Sequence, residues 1–263
     1  MYKKTNMSYS NIISNNENGI CYLTINRPKQ LNALNGETIL ELHKAIKEAD
    51  NNKLIKCIIL TGAEKKAFVA GADIKEFAEF DSLKGEELAR KGQKLLFDLL
   101  ENIKTPSIAA INGFALGGGL ELAMASHIRI ASRNAKMGLP EVSLGVIPGY
   151  GGTQRLAHLV GKGKAIEMIV TASMISAEEA KDLGLINHVC EEEELIPTAE
   201  KIASKIKRNS PMAIGNAIKS INASFIDGID GFEVEKKEFG NCFGTTEFKE
   251  GTTAFMEKRK PNF

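Results

Sequence analysis

Residues 105–128 carry one formal charge, that of Glu121, in a chain of 263 residues of which 25% are charged. Residues 137–154 again keep a single charge, Glu141. Stretches so depleted in charge belong inside a fold. Both are broken by glycines, Gly117-Gly118-Gly119 in the first and Gly149, Gly151 and Gly152 in the second. No charge-free apolar run reaches the roughly 18 residues that a membrane-crossing helix needs. Interrupted apolar stretches of this kind read instead as strand–turn–helix units.

The surrounding sequence supports that reading. Residues 20–26, 57–61, 107–111 and 128–131 are apolar runs of strand length. Asn35 is placed to cap a helix over 35–51, with Ile39, Leu42 and Ile46 on one face. Residues 82–103 read as one long amphipathic helix, with Leu88, Leu95, Leu96, Leu99 and Ile103 at helical spacing. Beyond Thr153 helices dominate, including 165–170 and a helix capped at Ser176, and 195–263 is almost wholly helical in pattern. The expected architecture is α/β, with a core over residues 1–195 and a helical C-terminal region over 196–263. A chain of this length buries a sizeable core without disulfide or metal staples.

Several function classes are disfavoured. The net charge is +1, aromatic residues make up 6% and Trp is absent, which argues against a nucleic-acid surface. The four cysteines (21, 57, 190 and 242) and four histidines (43, 127, 158 and 188) show no metal-ligand spacing, so no metal site is expected. The first residues lack an apolar signal-peptide core, and free thiols fit a reducing, cytoplasmic setting. Met7 is an equally good start, which would leave residues 1–6 as a loose tail.

The two isolated glutamates carry the chemistry. Desolvation raises a carboxyl's proton affinity, as a proton donor near neutral pH requires. A lone Glu is usually an exposed helix residue, but two in apolar, glycine-bounded contexts weaken that reading. Around Glu121 the sequence is Ala115-Leu116-Gly117-Gly118-Gly119-Leu120-Glu121-Leu122. Three glycines feed a helix N-terminus whose N–H groups point outward. No Lys-Ser/Thr follows them and GxGxxG is not matched, so a phosphate loop is excluded. Bare N–H donors suit a carbonyl oxygen becoming an oxyanion, the other reading being a tight packing turn. Pro140 fixes the backbone just before Glu141, and the apolar loop that follows argues against a solvated acid. A third element, Ala70-Gly71-Ala72-Asp73-Ile74, ends a strand with small residues, and Asp73 opens a short helix. It offers a second backbone donor. Two carboxylates and two donors fit enolate chemistry, either proton transfer alpha to a carbonyl or addition of water to a conjugated double bond. No Ser–His or Cys–His couple is apparent.

These residues resemble the enoyl-CoA hydratase (crotonase) family over nearly the whole chain. The resemblance runs through TINRPKQLNALN (24–35), AGADIKEF (70–77), IAAINGFALGGGLELAMA (108–125), GLPEVSLGVIPGYGGTQRL (138–156) and AFMEKRKPNF (254–263). It implies a spiral of ββα units with a C-terminal helical trimerisation module, assembling as homotrimers or homohexamers. It implies an acyl-CoA thioester substrate and no metal or redox cofactor, coenzyme A being part of the substrate. By the same resemblance, the N–H groups of Ala72 and Gly118 hold the thioester oxygen. Glu121 activates water and Glu141 exchanges the proton at the alpha carbon. Ala70, Ala72, Asp73, Ile74, Lys75 and Gly118 line the coenzyme A site. Lys258 matches a lysine that reaches a coenzyme A phosphate across a subunit boundary, although a lysine run is more often a solvated tail. Leu120 stands where many relatives carry Cys.

Relatives that only shift a double bond, decarboxylate or hydrolyse thioesters commonly lack one of the two glutamates. Their joint presence points to reversible hydration of short-chain trans-2-enoyl-CoA. The alternatives are an enoyl-CoA isomerase, another CoA-thioester lyase of the family, or an RNA-binding protein on the same scaffold. Acyl chain length is expected to depend on loops such as 77–86.

Overall fold

The computed structural model describes residues 9–263, so the expected loose tail at 1–6 lies outside the described residues. The chain enters through a hairpin, β1 (Ile12–Glu17) and β2 (Ile20–Ile25), in register from Ile12↔Ile25 to Glu17↔Ile20. Asn18 and Gly19 turn it, both at positive φ, as a two-residue hairpin turn requires. Helix α1 (Gly36–Asn51) follows. Its cap is the expected one, Asn35 Oδ1 accepting the Thr38 N–H at 2.9 Å.

From here the chain repeats one unit. A strand joins a large sheet, the next strand joins a small sheet, and a helix returns. The first unit is β3 (Cys57–Gly62), β4 (Ala67–Val69) and a long helix in two parts, α2 (Ser82–Gly92) and α3 (Asp98–Asn102). The second is β5 (Ser107–Ile111), β6 (Phe114–Leu116) and α4 (Gly118–Ala125). The third is β7 (Ile128–Ser132), β8 (Lys136–Gly138) and α5 (Gly152–Val160). Helix α6 (Lys162–Val170), β9 (Met174–Ser176), α7 (Ala177–Asp182) and β10 (His188–Cys190) complete both sheets. The large sheet has the order β1-β2-β3-β5-β7-β10, and the small one β4-β6-β8-β9. Among the described residues, only β1–β2 and β8–β9 pair antiparallel. This is the expected spiral of ββα units.

Both faces of the central strands of the large sheet are covered, which explains the unbroken apolar runs of β3 and β5. Leu23, Ile25, Ile58 and Leu60 pack with α1, the long helix and α4. Ile20, Ile59, Ile108 and Ile130 pack under α8 (Leu195–Ile206) through Leu195, Ala199 and Ala203. Every residue of α4 is buried, as an all-round apolar helix must be. Three further helices, α9 (Pro211–Ala223), α10 (Gly231–Cys242) and α11 (Thr246–Met256), end the chain. The helical C-terminal region is thus present, and its first helix lies on the core sheet.

Two local expectations differ. The helix over 82–103 is interrupted by a wide, five-residue π turn, Gln93–Phe97. Strand β1 leaves no signal in the sequence because IISNNE has no apolar alternation. All of it except Ile12 is exposed.

Candidate active site

The small-residue segment after β4 is fixed by the chain just before α1. Leu34 N–H donates to Gly71 O at 2.9 Å and Asp73 N–H to Leu34 O at 2.7 Å, a single parallel bridge between Leu34 and Ala72. Ala70 N–H donates to Leu31 O at 3.0 Å. Asp73 stands at the cap of the short turn Ile74–Glu76, but its carboxylate makes no cap bond. It pairs instead with Arg27 Nη2 at 3.0 Å, and Arg27 also donates to Ala33 O. Arg27 therefore ties this segment to the chain just before α1. Ile74 and Lys75 sit exposed on its outer side.

Gly118, the first residue of α4, faces this segment. A Cβ placed on it would lie 3.6 Å from the Ala72 nitrogen. Among the described residues, neither the Ala72 N–H nor the Gly118 N–H donates to a protein acceptor. The two donors expected from sequence thus line one space. Gly117 makes this possible: its φ of +51° and ψ of −125° favour glycine. A Cβ there would stand 2.7 Å from Glu141 Oε1.

Glu121 lies in the first turn of α4 and is 1% exposed. Its Oε1 accepts the N–H of Tyr150 at 2.8 Å and of Gly152 at 2.8 Å. Burial pushes its carboxyl up to about 7 and the charge of Glu141 adds to this. The two N–H donors and Arg155 pull the other way. Glu141 opens the short turn Glu141–Leu144 directly after Pro140. It is half-buried, and burial raises its proton affinity too. Its Oε2 is shielded from solvent and has no hydrogen-bond partner among the described residues. The two carboxylates are therefore close neighbours in unlike settings. The apolar loop after Glu141 is not buried as its composition suggested, since Leu144, Val146 and Ile147 are exposed.

Tyr150 closes the same space. Its ring stacks on Phe97 at 4.6 Å between centroids and 15° between planes, with Cδ2 3.5 Å from a Cβ placed on Gly118. Arg155 donates to Tyr150 O at 2.9 Å, to both Glu101 carboxylate oxygens at 3.0 and 2.6 Å, and to Asp98 at 3.0 Å. The supporting roles of Arg27, Gln93, Tyr150 and Arg155 are not expected from the sequence. Arg155 has one sequence signal, a cation directly at the edge of the charge-poor stretch 137–154.

A family model described as enoyl-CoA hydratase/isomerase matches residues 15–263. The chain belongs to this family. Among relatives, it is 48% identical over 255 residues to a short-chain-enoyl-CoA hydratase of Clostridium acetobutylicum, covering 97% of each chain. It is 46% identical over 258 residues to a crotonyl-CoA hydratase of Syntrophomonas wolfei, covering 98% of this chain and 99% of the other. The crystal structure of an enoyl-CoA hydratase from Bacillus anthracis superposes with a TM-score of 0.89 at 38% identity, over 97% of this chain and 99% of that one.

Within this family framework, the structure brings together five of the residues singled out from sequence: Ala72, Asp73, Gly118, Glu121 and Glu141. Ala70 anchors the same segment from behind. Lys258 stands apart, just past α11. No hydrogen bond or ion pair among the described residues ties it to the Ala72 segment. No group of three or more His, Cys, Asp or Glu side chains suited to a metal occurs among the described residues. Nor is any described helix long and apolar enough to cross a membrane.

Proposed function

We propose that the protein catalyses the reversible addition of water to short-chain trans-2-enoyl-CoA, converting crotonyl-CoA to 3-hydroxybutyryl-CoA. One observation carries this reading: a buried carboxylate, Glu121, and a half-buried one, Glu141, in unlike hydrogen-bonding environments flank a pair of backbone donors. The names of the Clostridium and Syntrophomonas relatives support it.

In this mechanism the thioester oxygen lies between the N–H groups of Ala72 and Gly118. Glu121, whose anion is stabilised by two backbone donors, removes a proton from water. The resulting oxygen nucleophile forms a bond to C3. The π electrons shift toward C2 and the thioester oxygen, giving an enolate held by the two N–H donors. Glu141, whose Oε2 lacks a donor to stabilise an anion, is the acid that delivers its proton to C2. Turnover ends with Glu121 protonated and Glu141 ionised, and solvent exchange resets both. An isomerase needs one carboxylate to carry one proton between two carbons. The second would then have no task.

Coenzyme A is bound by the Ala70–Lys75 segment as part of the substrate, with no metal or redox cofactor in the reaction. Lys258 reaches the nucleotide phosphate across a subunit boundary in a homotrimer or homohexamer built by residues 196–263. The exposed Ile221, Phe225, Phe232 and Phe239 of the C-terminal region support such an assembly. Light scattering giving a monomer at micromolar concentration would remove it. A cytoplasmic location completes the reading.

The deciding assay is product analysis with crotonyl-CoA. 3-Hydroxybutyryl-CoA is expected, whereas a shifted alkene would establish the isomerase. Glu121→Gln and Glu141→Gln should each fold and lose about 10²–10⁴-fold in kcat. Parental turnover in either would end that residue's role.

A further inference from the structure

The loop that holds Glu121 is itself gripped from behind, peptide by peptide. The peptide joining Gly149 to Tyr150 gives its N–H to Glu121 Oε1, and its carbonyl accepts Gln93 Nε2 at 2.7 Å. The next carbonyl, of Tyr150, accepts Arg155 Nη1 at 2.9 Å. The peptide joining Gly151 to Gly152 also gives its N–H to Glu121 Oε1. Its carbonyl accepts the N–H groups of Gln154 at 3.1 Å and Arg155 at 3.0 Å. Three successive carbonyls thus face away from Glu121 and are all bonded, while two N–H groups face it. A Cβ on Gly151 would stand 2.2 Å from Arg155 Nη1, so the loop wraps the guanidinium closely.

The grip comes from the long helix. Gln93 opens the π turn, Phe97 ends it under the Tyr150 ring, and Asp98 and Glu101 hold Arg155 one turn later. Such wide turns recur at functional sites, and here the turn places Gln93 and Phe97 against the same loop. We propose that Gln93 and Arg155 are positioning residues that set the proton affinity of Glu121 by fixing the 149–152 loop. This rests on the reading of Glu121 as the ionised base.

The physical link is direct. A carboxylate's proton affinity falls with each well-aligned donor to its anion. A peptide N–H is also a better donor when its own carbonyl is hydrogen-bonded. Few other charges bear on Glu121. Helix α4 has no second charged residue and β4 and β6 have none. On α3, Asp98 and Glu101 are paired with Arg155. On α5, His158 lies against Phe225. Glu141 and the Tyr150 phenol remain, and the Gln93 amide hydrogen-bonds neither side chain, its partner being the Gly149 carbonyl. Loss of the Gln93 donor loosens the Tyr150 N–H and raises the proton affinity of Glu121.

The test is the pH dependence of kcat and KM for crotonyl-CoA in the full-length parent, Gln93→Met, Arg155→Lys and Glu121→Gln, with thermal melts. Gln93→Met keeps the side-chain length and removes the donor. Its acid limb should move up by about one pH unit, the size of one weakened bond to a charged group. From a starting value of about 7, that shift lowers kcat at pH 7 about fivefold, with activity recovering at higher pH and KM little changed. Arg155→Lys keeps the cation without the fork and should shift the limb in the same direction. An acid limb at the parent's position in Gln93→Met overturns the proposal, whatever happens to kcat or melting temperature. If Arg155→Lys does not fold, Gln93→Met decides alone. Parental turnover by Glu121→Gln would overturn both the base assignment and this proposal. An inactive Glu121→Gln with coincident acid limbs in the other variants overturns only the proposal.

Discussion

The N–H of Gly152 donates to Glu121 Oε1 at 2.8 Å, and a Cβ placed on Gly152 would stand 2.8 Å from that same oxygen. The start of α5 and the proposed base therefore meet with no room for a methyl group. Gly152→Ala must push away either the carboxylate or the loop. We expect kcat to fall about 10–100-fold while KM for coenzyme A thioesters stays near the parent's, because an interaction used in the transition state is lost. Steady-state kinetics check this. An unchanged kcat would mean that the contact between α5 and Glu121 is dispensable.

Glu121 also makes stability depend on pH. Its carboxyl is pushed from the ordinary 4.5 up to about 7 in the folded chain, chiefly by burial. The fold thus prefers it protonated. That contribution is complete below about pH 4.5 and is lost as pH rises through about 7. The cost at higher pH is on the order of 3 kcal/mol. Glu121→Gln, neutral at every pH, should therefore gain stability relative to the parent between pH 5 and pH 8. Urea unfolding at both pH values measures it. A constant stability difference would show that ionising Glu121 costs the fold nothing.

Gly118→Pro removes the N–H assigned to the oxyanion at the first position of α4, where a proline is otherwise tolerated in a helix. The loss should be about 3–4 kcal/mol of transition-state stabilisation, or several hundredfold in kcat, in a protein with native circular dichroism. A folded variant at parental kcat would rule the donor out.

Lys258→Ala probes the far end of the substrate. A phosphate contact is held in ground and transition states alike, so KM for crotonyl-CoA should rise while kcat changes little. Exposed charge pairs are screened, so the effect should shrink as ionic strength rises. Kinetics at two salt concentrations settle it. An unchanged KM would leave Lys258 as part of a solvated tail.

The sequence exposed the site through what it lacked. Glu121 and Glu141 are legible because charge disappears around them, and the small-residue segments at 70–74 and 117–119 because they leave backbone donors bare; only the family resemblance singles out Ala72 and Gly118 within them. The central strands were legible because burial on both faces writes continuous apolar runs. The three-residue strands of the small sheet carry too few residues for any period to register. The π turn was hidden because one inserted residue leaves Leu95, Leu96 and Leu99 on a plausible helical stripe. The supports of the site were the least legible. Arg27 acts on Asp73 and Gln93 on Gly149 through single contacts between segments far apart in sequence, and no local pattern announces such a pair.

The repeating spiral also ties chemistry to the order in which the chain acquires structure. Ala72 needs the bridge from Leu34, and Glu121 needs donors 29 and 31 residues away, on the next turn of the spiral. Each such pairing closes a long loop before it returns any contact energy, and topologies of this kind fold slowly for that reason. Helices α1 and α8 through α11 form from local contacts, whereas no single turn of the spiral contains a working site. During refolding, ellipticity should therefore return before turnover does, which makes enzymatic activity the latest reporter of the native state.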